Sequence, residues 1–549
     1  DIDSLKQVEI VRGPASAVFG SDALGGVVSF VTMGPRDVLG DSNQRIDVSA
    51  GYNSVDTSQQ LRVAAAFAGE NVATLFRVTG RQGNERDVNI ADPLDDESRN
   101  LFARFDFGDG TAGGLSLTLE NFLAESDTDV DSREGTQDFT AGFGFPYVIT
   151  TSVVEGNDER ERNRVSLGQE WLPGRFGTDY LRWRAYWQNS TTPQDTFEAR
   201  ESFIAGTPAS VERNRRFEFE QDLLGFEVNV ANDFELGETT HQLAYGFEFE
   251  QTDTDQIRTG TELNLLNGVS SNVVGPDDFP VRDFPLSTTE RVGVYVQNRI
   301  EFGTVAIIPG LRWDRYALDP RADPIFADDN PGITPVSIDD NQVSPKLGLT
   351  WDANESLQFY AQYSEGFRAP PVNDVNVGFT NFQFGYTALP NPDLRSESSK
   401  GYEVGARIET QTLAFEVSTF VTRYDDFIES FQVVGFDPIN QLLQFQSVNV
   451  DDVEILGGEI GGTFAPTALP DGMRIRFAAA YAEGENRVTG EYLNSIAPLN
   501  GVLGLEYDAP SDRWGLSLVA RGAERQDKLD NSDGPRLSPA GYVVFDAFG

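Results

Sequence analysis

The chain has 549 residues with 42 basic and 87 acidic side chains, a formal net charge of −45, no cysteine and a single histidine, His241. This composition excludes disulfide frameworks, thiolate nucleophiles and multi-histidine metal centres. It makes nucleic acid a repelled partner and favours cations or a basic protein surface, although acidic residues also simply solvate long loops.

The first informative stretch is "VEIVRGPASAVFGSDALGGVVSFVT", Val8 to Thr32. It is Gly-rich and follows neither a helical period nor a plain strand alternation. Gly13-Pro14 reads as a turn. Gly25-Gly26 reads as a point of positive φ or close backbone approach before a strand over Val27–Val31. A phosphate-binding loop is excluded because no Lys-Ser/Thr follows the glycines. The first methionine is Met33, and neither an initiator nor a signal peptide precedes it, so a fragment or processed form is expected.

From about residue 44 the pattern becomes regular. "LSLTLENF" sets Leu115, Leu117 and Leu119 against Ser116, Thr118 and Glu120. "LRWRAYWQ" sets Leu181, Trp183, Ala185 and Trp187 against Arg182, Arg184, Tyr186 and Gln188. "LQFYAQYS" (from Leu357), "YEVGARI" (from Tyr402) and "WGLSLVAR" (from Trp514) repeat the scheme. Period two means strands with one apolar and one polar face. Roughly twenty such segments, many of about 8–11 residues, suit a tilted bilayer-spanning β-strand. No apolar run reaches the ~18 residues of a membrane-spanning helix. Tight connections near Gly303 and Asn354 alternate with long acidic stretches at 84–99, 124–163, 253–289 and 318–342, which read as strandless loops. The expected fold is therefore all-β: a transmembrane antiparallel β-barrel with loops long on one side and short on the other. Phe and Tyr at strand ends suit interfacial girdles. A soluble all-β protein and a passive porin remain alternatives on periodicity alone.

The opening stretch resembles the end of the plug domain of TonB-dependent outer-membrane receptors, with Glu9, Arg12, Gly13, Pro14, Gly20, Gly25 and Gly26 on the shared string. Two later stretches, "YSEGFRAPPVNDVNVGF" (Tyr363–Phe379) and "NPDLRSESSKGYEVGAR" (Asn391–Arg407), resemble two boxes of the same family. Their pairing is similar to the haem, haemoglobin and transferrin receptor branch. The resemblance implies residues 1–40 as the C-terminal part of the plug and residues 41–549 as a C-terminally incomplete barrel. The intact barrel is expected to have 22 strands and this chain fewer. It implies a monomer in outer-membrane lipid and lipopolysaccharide, not an enzyme. It also implies active transport of haem or ferric iron as cargo, with no intrinsic cofactor. The energy would come from the TonB–ExbB–ExbD complex acting through an N-terminal TonB box that lies before Asp1, and a haem- or iron-carrying protein is an implied partner. Glu9 and Arg12 are expected to meet charges on the barrel lumen.

Ligand candidates follow from the two boxes. No histidine lies between Phe367 and Asn391, which counts against His-ligated haem. Tyr386 lies in that interval, and tyrosine is a known axial haem ligand; its other reading is an aromatic at a loop base. Arg368 suits an anionic ligand or a lumenal carboxylate. Asn373, Asp374 and Asn376 suit ligand contact or turn capping. "DTDVDSRE" (Asp127–Glu134) places acids at alternate positions, a candidate loop calcium site or a solvated loop. His241 is expected near a strand start in a structural role; a Ser/His hydrolase would depend on it. A ferric-siderophore receptor and a surface adhesin are further alternatives.

Overall fold

The computed structural model describes residues 1–549 apart from 87, 89–91, 109–112, 173–177, 276, 382–384, 451, 512, 533 and 535. Among the described residues, twenty longer antiparallel strands form one continuous curved wall, running in chain order from Gln44–Asn53 to Tyr542–Phe548, and three short ones, Gly135–Asp138, Val269–Ser271 and Glu491–Tyr492, extend it. Gln44–Asn53 pairs with Ser58–Ala68, and Tyr542–Phe548 pairs with Gly515–Ala523.

Burial in this wall is inverted relative to a soluble sandwich. The apolar members of the alternating segments face outward: Trp187 and Phe359 are 41% exposed, Leu516 and Leu518 47%, and Val404 53%. Their polar neighbours face inward and bond across strands. Tyr360 Oη donates to Glu403 at 2.9 Å, and Arg184 pairs with Glu227 at 3.0 Å. Apolar outside and charged inside is the arrangement of a barrel with lipid around it and water in its lumen. Strand-to-strand bonding satisfies the backbone groups that lipid cannot. Three lumenal tyrosines each lie across from a glycine on the adjacent strand: Tyr186 over Gly225, Tyr295 over Gly246 and Tyr360 over Gly405. A side chain at any of these glycines would occupy the place of the ring.

The acidic stretches expected as strandless loops are corrected by the structure. Residues 84–99 include the start of Leu94–Phe107. Much of 124–163 belongs to Leu115–Asp129 and Tyr147–Trp171, and 253–264 completes Thr239–Asn264. In 318–342, Val305–Arg321 ends and Ile338–Asn354 begins, with a helix Pro324–Asp329 between them. Strand lengths reach 25 residues in Tyr180–Ile204 and 30 in Thr207–Leu236, well beyond the expected 8–11. The reason is physical: once a strand leaves the bilayer, both faces meet water and the apolar alternation disappears. Cross-strand charge pairs carry the pairing instead, among them Arg216–Asp195 at 2.8 Å and Arg213–Glu262 at 2.7 Å.

Residues 1–40 stand apart from the wall. Leu5–Arg12 and Gly26–Thr32 form their own two-stranded antiparallel sheet. A helical turn, Ser16–Phe19, lies between them, and helix Pro35–Leu39 follows. That helix starts where Pro35, which lacks an N–H, costs nothing, and Asp37 accepts from Gly34 N at 2.8 Å. Val38 and Leu39 pack on Ala64, Ala66, Leu75 and Phe102 of the wall. Burying two such side chains stabilises the contact by about 1.5–3 kcal/mol each.

Candidate functional site

The Gly-rich opening string and the first downstream box meet. Strand Leu357–Arg368 pairs with Ile338–Asn354 only as far as Ser364, while its other edge pairs with Glu397–Glu409 throughout. The edge left open beyond Ser364 is taken over by the unit at residues 1–40. Ser16 Oγ accepts from Phe367 N at 3.0 Å, and Asp22 N donates to Phe367 O at 3.1 Å. Ala369 N makes a longer contact, 3.4 Å, to Ser21 Oγ. On the opposite edge, Ser399 Oγ donates to Leu24 O at 3.2 Å. Ser16 is fully buried and Phe367 is 3% exposed. The segment thus serves as a surrogate strand, made of side-chain hydroxyls and one turn of backbone.

Each residue of the opening string has a distinct place. Arg12 reaches Glu459 on the wall. Glu9 is exposed and accepts from its own neighbour Gln7, so the expected lumenal charge partner is found for Arg12 and not for Glu9. Gly13 N donates to Gly25 O at 3.1 Å, closing the base of the turn. Pro14 packs against Gly401, where an added Cβ would lie 2.6 Å from Pro14 Cδ. Gly20 has φ +80°, and a Cβ there would sit 2.7 Å from Arg312 Nη2. Gly26 has φ +148° and lies against Val11 O. Both positions therefore require glycine.

Arg312, only 3% exposed, ties this apex to the wall. Its guanidinium donates to Val18 O at 3.1 Å, to Glu248 at 2.6 Å and to Asp314 at 2.8 Å. Arg291 pairs with Asp22 at 2.9 Å. A cavity of about 230 Å³ lies beside the apex, lined by Phe19, Tyr186, Glu250, Arg291 and Tyr316 among others. Reading the sequence singled out neither Ser16 nor Arg312; their signal was weak, a small residue in a Gly-rich string and one charge among many on a polar strand face.

Above this junction the chain builds an extracellular cap. A four-stranded sheet contains Phe379–Asn381, Tyr386–Leu389, Leu442–Val450 and Phe427–Asp437. Its cross-strand pairing puts Phe379, Tyr386, Phe445, Val433 and Phe436 on one face. Tyr386 meets Phe379 at 5.9 Å and Phe445 at 6.0 Å between ring centroids, and the Arg258 guanidinium lies 5.5 Å from the Phe379 centroid. Val433 and Phe436 are 58% and 53% exposed. The Phe-Gln-Phe at 382–384 lies outside the described residues.

The other candidates separate. Arg368 pairs with Glu397 at 2.7 Å, and Glu397, fully buried, also accepts from Ile428 N at 2.6 Å. Asn376 is fully buried and clamps Val336 through its N at 2.7 Å and O at 3.0 Å. Asp374 accepts from Ser430 at 2.8 Å and Ser447 at 2.7 Å. Asn373 is exposed. Of the four ligand candidates, Arg368 and Asn376 are committed to protein partners, while Asn373 and Tyr386 face outward or onto the cap. His241 is the third residue of Thr239–Asn264. It stacks on Phe234 at 4.8 Å and bonds Thr239 at 2.9 Å and Asn298 at 3.0 Å, far from the cap. Asp127 accepts from Asn157 at 2.6 Å, and among the described residues no group of three or more His, Asp or Glu is placed to hold a metal ion.

Loops around the cap are knit by charge. Arg282 pairs with Asp255 and with Asp323 at 3.0 Å, and Arg258 bridges Asp277 at 2.8 Å and Asp283 at 3.0 Å. Asn330 donates to Arg282 O at 2.9 Å, and Gly378 N to Asp283 O at 2.7 Å. Burial, with Asp283 nearby, pushes the Asp329 carboxyl up to about 6.

Comparison with known proteins matches this architecture. Residues 114–549 fit the family described as TonB dependent receptor-like, beta-barrel. The chain is 28% identical to the hemoglobin-haptoglobin utilization protein B of Neisseria meningitidis serogroup C, over 94% of this chain and 70% of that protein. It is 24% identical to the hemin receptor of Yersinia pestis, over 99% of this chain and 73% of that protein. The solved structure of the copper transporter OprC superposes with a TM-score of 0.73 at 16% identity, over 99% of this chain and 77% of that one, a likeness of fold. With its inverted wall, its lumenal unit and this match over most of its length, the chain belongs to the TonB-dependent receptor β-barrel family of the outer membrane.

Proposed function

We propose that the chain is the barrel and part of the gate of a receptor that imports haem, or haem iron taken from a carrier protein. Residues 1–40 act as the C-terminal part of the plug and residues 41–549 as the barrel. The observation that carries the cargo assignment is the aromatic face of Phe379, Tyr386 and Phe445 on the extracellular cap. An apolar, ring-bearing surface suits a porphyrin, and relatives over most of the chain are named for haemin and for haemoglobin-haptoglobin. Tyr386 supplies a phenolic oxygen of the kind that ligates haem iron. Asn373, exposed at the rim of the same cap, is the polar contact candidate. Arg368 and Asn376 act by holding the cap in place. The seven residues of the opening string shape the gate, with Arg12, Gly20 and Pro14 set against the wall. The TonB–ExbB–ExbD complex drives transport from the N-terminal side. No bond in the cargo is made or broken by the barrel.

The test is growth of an iron-starved strain carrying the full-length gene on haemin, haemoglobin or ferric siderophores, with and without a functional TonB system. Growth on haemin and haemoglobin that is lost without TonB is expected. Rescue by siderophores alone would replace haem by a siderophore as cargo, and TonB-independent uptake would overturn active transport. For Tyr386→Phe, a changed absorbance spectrum of bound haemin is expected; an unchanged spectrum removes Tyr386 as a ligand.

A further inference from the structure

The stretch "DERERNRV", Asp158 to Val165, belongs to strand Tyr147–Trp171, where Val165 and Leu167 face outward, 40% and 37% exposed. The period of two then turns Arg160, Arg162 and Arg164 to the lumen, about 7 Å apart along the strand, and Glu159 and Glu161 away from it. The neighbouring strand, Tyr180–Ile204, continues the row. Its outward Trp187 pairs with Val165, so Tyr186, Arg184 and Arg182 share the lumenal face, and the register sets them in turn beyond Arg164 toward the Trp171 end. A row of arginines thus descends one side of the lumen.

The unit at residues 1–40 is anchored to either side of this row. Asp1 and Asp3 sit on Arg81 and Arg62, while Val18 and Asp22 meet Arg312 and Arg291. Among the described residues, the unit makes no hydrogen bond or ion pair with Tyr147–Trp171 or Tyr180–Ile204. The cavity of about 230 Å³ bounded by Phe19 and Tyr186 lies between the unit and this part of the wall. The carboxylates nearby are largely taken. Glu120 stands directly across from Arg164 yet pairs with Arg162 at 3.1 Å. Glu227 pairs with Arg184 at 3.0 Å and Arg182 at 3.4 Å, and Glu250 accepts from Tyr186 Oη at 3.2 Å. Asp158 lies at the outer end of the row. Arg164, half-buried, makes no ion pair among the described residues. Its guanidinium lies 5.7 Å from the Tyr186 ring centroid, and that of Arg184 5.1 Å from the same centroid. Arg162 and Arg184 each also bury an Nε without an acceptor. Two guanidinium groups on one ring, with donors in excess of acceptors, suit a planar anion such as a carboxylate.

We propose that this row is a carboxylate-binding track in the lumen, with Arg164 as its free donor, and that it takes the carboxylate arms of the cargo between the extracellular cap and the cavity beside Phe19. The proposal rests on the haem-import reading above, since haem carries two carboxylates on one edge of an apolar ring. The Tyr186 ring offers the apolar contact and Arg164 the charged one. The track selects for the charged edge of the cargo, whereas the cap around Tyr386 addresses its ring and iron.

The test measures import by the full-length receptor on iron-starved cells, with haemin and haemin dimethyl ester, whose carboxylates are capped, as separate probes. The wild-type receptor is expected to import haemin about tenfold faster than the diester. Arg164→Gln is expected to lower haemin import by about tenfold and to leave diester import unchanged, so that the preference disappears. Arg164→Lys, which keeps the charge but not the planar fork, is expected to fall between the two. Unchanged haemin import in Arg164→Gln, at normal surface abundance, overturns the proposal. So does an equal loss with both probes, since that makes Arg164 a support for the wall or for the lumenal unit. A wild-type receptor that imports both probes equally overturns this proposal and leaves the cargo reading standing; one that imports neither overturns both.

Discussion

The contact between Ser16 and Phe367 offers a sharp perturbation. Ser16→Ala removes one oxygen and leaves the backbone free to stay where it is. The Phe367 N–H then loses the acceptor 3.0 Å away, at a place where Ser16 is fully buried and Phe367 only 3% exposed. A buried donor left without an acceptor costs about 1–3 kcal/mol. With about 1.4 kcal/mol per factor of ten, that is a roughly 5- to 150-fold rise in the population with the lumenal unit detached from this edge. Hydrogen exchange of the full-length receptor in nanodiscs reads it directly, because Phe367 N reports on the contact itself and Gly13 N, bonded to Gly25 O, on the turn within the lumenal unit. Protection at Phe367 is expected to fall by about tenfold or more. Ser21→Ala, which removes only the 3.4 Å contact to Ala369 N, is expected to lower it less than about threefold. Unchanged protection at Phe367 in Ser16→Ala, or equal losses in the two variants, would refute the surrogate-strand reasoning.

Arg368→Ala strands the Glu397 carboxylate, which has no exposure to solvent. Because the arginine itself is about a third exposed, the loss is expected near 2–3 kcal/mol, below the range for fully buried pairs, in equilibrium unfolding from detergent. Adding Glu397→Gln should restore at least half of it; a double variant no more stable than the single one contradicts the ion-pair account. Asp329 gives a pH dependence. Its carboxyl titrates at about 6 in the folded loop because of burial and the neighbouring Asp283, above the ~3.9 of a free aspartate. The folded loop therefore holds more protons than the unfolded one between those values, so its stability falls as pH rises from about 4 to about 6. Exchange protection across 321–338 should be higher at pH 5 than at pH 7, and Asp329→Asn should flatten that difference; a pH response that survives the substitution rules Asp329 out.

Periodicity in the sequence revealed the wall because bilayer chemistry writes itself into alternate residues, as in Leu516 and Leu518. It failed where chemistry stops alternating. Residues such as Glu155 to Arg164 carry charge on both faces in water, so strand continuation there depends on neighbours 30 or more positions away, as with Asn157 and Asp127. The candidate site was legible as a set of segments and not as contacts. The boxes located Phe367, Arg368 and Tyr386, yet nothing local indicated that Arg368 is bound to Glu397 or that Asn376 faces Val336. Those pairings are set by which strands become neighbours, which no single segment encodes.

The two-stranded sheet of residues 1–40 also has a mechanical meaning. Leu5 pairs with Thr32 and Arg12 with Gly26, so the end nearest Asp1 and the end nearest the wall lie side by side. A load entering at Asp1 and resisted where the chain joins the wall at Gln44 opens this hairpin like a zipper. Its bonds then fail one after another, and the force needed is that of one rung at a time. Ahead of that zipper stands a catch: Asp1 and Asp3, held by Arg62, Arg77 and Arg81 on the wall. The threshold for pulling the segment free is thus set by a few largely sheltered charge pairs, with the Asp1 carboxylate fully buried and Asp3 nearly so, and it should change little as ionic strength rises.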